Sequence, residues 1–100
     1  MPIYFAIQTT DKPGHAQLRA DLRAAHLDYL KAHQPRLQAA GTLLEDDGST
    51  GAGGILLVAA EDRADAEQFA AQDPYALGGL FQSVTVTRWR KAFFDGQCLV

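Results

Sequence analysis

The chain is poor in cysteine. It has only Cys98, so no intrachain disulfide can form, and a disulfide-stapled secreted scaffold is excluded. This usage suits a reducing cytoplasmic setting, and Cys98 itself reads as an inert thiol in a terminal tail. Long hydrophobic runs are also missing. The longest, Ile55 to Ala60, is far too short to span a bilayer. The opening Met1-Pro2-Ile3-Tyr4-Phe5 lacks the basic region and extended apolar stretch of a secretory signal. There is no excess of positive charge. Nine Lys and Arg stand against twelve Asp and Glu, for a net charge of −3, which gives no electrostatic reason to expect binding to nucleic acid or to an anionic membrane. The local exception is Arg88, Arg90 and Lys91 around Trp89. It reads as a solvated strand end, with a phosphate- or carboxylate-binding rim as the alternative. No zinc motif, nucleotide fingerprint or nucleophile elbow is present, and no repeat is visible.

What is present fits one domain, read as residues 1–94 with a tail over 95–100. At 47% hydrophobic and 21% charged, the 100 residues have the composition of an ordinary globular protein. Ile3 to Gln8 is rich in β-branched and aromatic types and reads as a strand that ends at Thr9-Thr10-Asp11-Lys12-Pro13-Gly14. From His15 to Ala40 apolar residues recur at helical spacing, with Leu18, Leu22, Ala25 and Tyr29 in one series. Pro35 removes a backbone donor, so a kink or break is expected there. Thr42 to Glu45 reads as a second strand, Asp46 to Gly54 as a flexible loop, and Ile55 to Ala60 as a third strand. Asp62 can cap a helix over Arg63 to Gln72, which Asp73-Pro74 ends. Tyr75 to Leu80 is a connector. Phe81 to Lys91 alternates as a fourth strand, with Val84 and Val86 on one face and Thr85, Thr87 and Trp89 on the other. Ala92 to Val100 reads as a tail or an arm exchanged in a dimer.

The order β-α-β-β-α-β predicts an α+β, ferredoxin-like domain: two helices on one face of a four-stranded antiparallel sheet. Strands one and three are apolar on both faces, and helices can cover only one. A second copy laid sheet to sheet would cover the other, so a homodimer forming a dimeric α+β barrel is expected.

Arg23-Ala24-Ala25-His26-Leu27-Asp28-Tyr29-Leu30 on the first helix, with Asp73-Pro74-Tyr75 and Gly78-Gly79-Leu80 after the second, resembles the YciI-like (YCII-related) family. The terminal Thr87-Arg88-Trp89-Arg90 adds support, and the resemblance spans about residues 1 to 94. It implies a cleft on each subunit and a candidate active-site pair of a helix histidine and the aspartate of the Asp-Pro-Tyr motif, here His26 and Asp73. One relative in that family is a dehydrochlorinase acting on a chlorinated hydroxyquinol. Related dimeric barrels include isomerases and cofactor-free monooxygenases.

The residues permit the corresponding chemistry. Imidazole titrates near neutrality and can take and return a proton. A carboxylate on one ring nitrogen would fix its tautomer, and such a pair typically gives about 10²–10⁴-fold from general acid–base catalysis. Without the family, an ordinary helix histidine and a turn-forming aspartate explain the same residues. Arg23 and Tyr29 lie three residues on either side of His26 and project near it. Arg23 suits a carboxylate or phenolate, Tyr29 a substrate oxygen, and Tyr75 could close the cleft. Gly78 completes the expected substrate-contacting set. Solvation of Arg23 and packing of both tyrosines are the plainer alternatives. His33 lies on roughly the face of His26, but its spacing is not that of a helical metal pair. No metal and no organic cofactor are expected. The glycine-rich segment Gly48 to Gly54 precedes a strand rather than a helix, so it is not a phosphate loop. These readings converge on a small cofactor-independent enzyme of proton transfer: elimination, isomerisation or hydrolysis of a small oxygenated molecule, aromatic ones included. A non-catalytic ligand-binding module and a cofactor-free monooxygenase are the rivals.

Overall fold

The computed structural model describes residues 3–100. β1 (Ile3–Asp11) alternates as its sequence requires, turning Phe5, Ile7, Thr9 and Asp11 inward. α1 (Ala16–Ala32) follows. It stops well short of Ala40, because Pro35 opens a 3-10 helical turn over Gln34–Arg36 and the chain leaves it extended at Leu37. The expected break at Pro35 is therefore real, but the residues beyond it belong to β2 (Leu37–Leu44), not to the helix. β3 (Thr50–Ala60) is nearly twice the length read from the sequence. The segment taken for a flexible loop is mostly strand: a Cβ at Gly54 would sit 2.8 Å from the carbonyl oxygen of Gly41, so here glycine permits close strand packing instead of marking a turn.

α2 (Arg63–Ala71) begins as expected, with the Asp62 carboxylate accepting from the Asp65 amide. The connector contains a further short helix, α3 (Pro74–Leu77). β4 (Phe81–Trp89) matches its prediction closely. The final residues form a small hairpin of β5 (Phe93–Phe94) and β6 (Gln97–Cys98), turned through Asp95 and Gly96, both at positive φ.

The main sheet has the order β2-β3-β1-β4, with every neighbouring pair antiparallel. With helices on one side only, this is the ferredoxin-like α+β fold. Phe5, Ile7, Leu56 and Val58 meet Ala66, Phe69 and Ala70 of α2 to form the core. Fully burying one such large side chain contributes roughly 1.5–3 kcal/mol, so this cluster dominates the apolar stabilisation. α1 is held differently. It packs chiefly on α3, and its one buried residue is Arg19. It therefore stands off the β2–β3 side of the sheet, and this stand-off makes room for a site. On the opposite face of the sheet, Ile55 remains 39% exposed and no helix covers Tyr4, Ala6 or Leu57. No helix among the described residues is long and apolar enough to cross a membrane.

Candidate functional site

The polar side chains of α1 that face the gap are Arg19, Arg23 and His26, spaced four and three residues apart and so aligned on one helical stripe beside Leu27 and Leu30. The carboxylate that meets them comes from Asp73, the residue before α3. Pro74 holds Asp73 extended, and its Oδ1 accepts from the Tyr75 amide at 2.9 Å, so the side chain is fixed as a helix cap before it meets anything else. His26 Nδ1 then lies 2.8 Å from Asp73 Oδ1 and 2.9 Å from Oδ2. Two residues 47 apart in the chain are thus in direct contact. Asp73 is 1% exposed and the His26 side chain 14%.

An ionised carboxylate only accepts, so the proton of this bond belongs to Nδ1. That leaves Nε2, which has no protein partner among the described residues, as the nitrogen free to exchange a proton. Tyr75 stacks on the imidazole with ring centroids 4.0 Å apart at 14°. The Arg19 guanidinium lies 4.8 Å from the same tyrosine ring. Arg19 and His26 are about two turns apart, roughly 10.5 Å along a helix, so Tyr75 fills the space between them. Burial pushes the Tyr75 hydroxyl above the usual tyrosine value, opposed by Arg19 and Arg23.

His26, Asp73, Arg23 and Tyr75 line one cavity of about 210 Å³, floored by Thr9, Gly54 and Leu56. Arg19 lines it too and was not singled out from the sequence. Its Nη1 donates to Asp11 Oδ2 at 2.7 Å in a buried ion pair. That aspartate continues the inward alternation of β1, at a point the sequence reads as a turn.

The profile of the YCII-related domain matches residues 3–90. The chain belongs to the YCII-related family. A Haemophilus influenzae protein of unknown role is 34% identical over 98 residues, a match covering 91% of this chain and all of that protein. The fold superposes with a TM-score of 0.80 on 5-chloro-2-hydroxyhydroquinone dehydrochlorinase (TftG) from Burkholderia phenoliruptrix, whose structure holds 2,5-dihydroxybenzoquinone. Those two chains are 34% identical, with 88% of this chain and 94% of that one covered. A Pseudomonas aeruginosa protein at 18% identity and a TM-score of 0.50 shares the fold alone.

Within this YCII-related chain, two expected substrate contacts are not brought to the cavity. Tyr29 turns away and donates its hydroxyl to the Phe69 carbonyl at 2.8 Å, so it joins α1 to α2. Burial, with the Asp73 charge second, raises its pKa above the usual value. Gly78 ends α3 outside the cavity lining, and its contact is steric: a Cβ there would lie 2.5 Å from Leu22 Cδ1, so the leucine on α1 would have to shift. His33 does not approach His26. Its ring packs against Tyr29 and Phe69 at 4.6 and 5.3 Å. Among the described residues no group of three metal-ligating side chains converges.

Proposed function

We propose that this protein is a small enzyme of proton transfer, with His26 as base and then acid and Asp73 orienting it. The observation that carries this reading is the contact of a buried, helix-capping carboxylate with one imidazole nitrogen while the other nitrogen borders a cavity. Arg23 and Tyr75 are the proposed substrate contacts, and no organic cofactor takes part. Likeness to the dehydrochlorinase favours elimination over isomerisation or hydrolysis. On a chlorinated hydroxyquinol, Nε2 takes a hydroxyl proton and returns it to the chlorine-bearing ring carbon, giving the keto tautomer. Nε2 then takes a second hydroxyl proton as the carbon–chlorine bond breaks; the bond's electron pair leaves with chloride, the ring becomes a hydroxyquinone, and that second proton passes to solvent.

The same reading includes a cytoplasmic homodimer, in which the uncovered sheet face carrying Tyr4, Ala6, Ile55 and Leu57 meets its symmetry mate. Light scattering at micromolar concentration should return twice the monomer mass, and a stable monomer would remove that part.

The direct experiment is chloride release from 5-chloro-2-hydroxyhydroquinone by wild type and His26→Ala. The expected loss on substitution is about 10²–10⁴-fold. Equal rates in the two proteins would sink the assignment. Saturable binding without turnover would instead make the protein a ligand-binding module, and substrate-dependent oxygen uptake would make it an oxygenase.

A further inference from the structure

A second, larger cavity of about 600 Å³ adjoins the first and shares Arg19, Arg23 and Thr42 with it. Ligand sites commonly measure roughly 300–1,000 Å³. The larger cavity falls inside that range and the cavity at His26 below it, so a substrate confined to the smaller space would be small indeed. The walls of the larger space carry the chemistry of an anion site. Arg23 and Lys12 line it, and neither has an ion-pair partner among the described residues. His15 and Ala16 bring the start of α1 to the same wall. No side chain caps this helix end, and its first turn holds no acidic residue, so the positive end of the helix is uncompensated.

An independent observation lies at the base. Asp11 lines this cavity, is 6% exposed, and spends Oδ2 on Arg19, while its buried Oδ1 has no hydrogen-bond partner. Buried polar atoms are nearly always paired, so a donor is missing here. The opposing charge on the wall is Glu45, also without an ion-pair partner among the described residues. Two free cations and a helix start outweigh it.

We propose that the larger cavity is a subsite for the carboxylate end of an elongated hydroxy acid whose other end reaches His26; only the placement of that second end rests on the proton-transfer reading above. Arg23, at the junction, and Lys12 hold the carboxylate beside the start of α1. Asp11 Oδ1 is closed to solvent, so a ligand hydroxyl supplies its missing donor only as the side chains over it part. Thr42, common to both cavities, marks where the molecule passes from one to the other.

The test is binding, so it does not depend on turnover. The intact protein is titrated with 4-hydroxybenzoate and with its neutral counterpart 4-hydroxybenzyl alcohol, followed by amide shifts in nitrogen–proton spectra. The carboxylate should bind more tightly than the alcohol and shift the amides of Gly14 to Gln17 and of Thr50 to Ala52. Lys12→Gln should weaken it about two- to five-fold, as for an exposed ion pair, and leave the alcohol unchanged. Arg23→Gln should weaken it about ten-fold or more. Glu45→Gln should tighten it. Equal affinity for the two probes, or shifts confined to the surroundings of His26 and Tyr75, would overturn the proposal. Binding retained in His26→Ala supports the subsite even if no turnover is ever found, which keeps its fate separate from that of the proposed reaction.

Discussion

Two clusters beside α1 carry almost the same residue types and use them in opposite ways. In one, Arg19, His26, Tyr75 and Asp73 border a cavity. In the other, Arg36, His33, Tyr29 and Asp65 gather about Phe69, which is 3% exposed. The difference lies in the carboxylates. Asp73 is buried and bonded to an imidazole, whereas Asp65 keeps 31% of its side chain exposed and pairs with Arg36 at 3.0 Å. In the second cluster the aromatic rings pack on one another, and the space beside them, about 320 Å³, is a shallow surface hollow with no buried carboxylate on its wall. Histidine, tyrosine, arginine and aspartate close together therefore do not define a site. What sets the first cluster apart is an acid held out of water against the base.

The contrast can be broken most forcefully at Phe69. Phe69→Ala should cost about 3–5 kcal/mol in urea unfolding, as for other buried aromatics, because three neighbouring side chains lose their common surface. A smaller cost would mean the second cluster is not the packing element described above. Asp73→Ala should come next, at about 2–4 kcal/mol, from the loss of a helix cap and of charge-assisted hydrogen bonds. Unlike Phe69→Ala, it should also abolish any turnover under conditions where the protein stays folded. A folded Asp73→Ala with full activity would erase the distinction between the clusters.

The smallest effect belongs to Asp65. The Glu61 amide, ahead of the Arg36 charge, holds its carboxyl below the usual value of 3.8. A depressed acid stabilises the fold above its unfolded value and loses that contribution as pH falls through the folded one. Asp65→Asn should therefore lower the melting temperature slightly near neutrality, with the gap closing below about pH 4. A gap that widens in acid would reverse the sign of this interaction. His33→Gln should leave turnover and ligand affinity unchanged, by the same assays used for His26.

Sequence reasoning reaches the fold through alternation and helical spacing, which survive in β1, β4 and α2. It reaches His26 and Asp73 only through family likeness, since nothing local joins two residues 47 positions apart. It misses Arg19 and Asp11 for a physical reason: β1 runs on in alternation through Thr9 to Asp11, residues typical of a turn, and so carries Asp11 inward. Tyr29 is misplaced because adjacency on a helix sets which face a side chain leaves from, not which neighbour its far end reaches. Here the reach is to α2. The glycines of β3 suggest flexibility in isolation, yet beside Gly41 they are what lets two backbones lie close.

Lys91 has a consequence for how the bare side of the sheet can be approached. Its ammonium lies 4.3 Å from the Tyr4 ring centroid and 4.8 Å from that of Phe94, and it donates to Gln38 at 2.9 Å. A cation and the base of the closing hairpin thereby occupy one corner of that surface. Ile55, paired with Gln8 four residues farther along β1 from Tyr4, marks the corner left free. Anything laid flat across these strands must come down off-centre, toward the corner the chain has left unguarded.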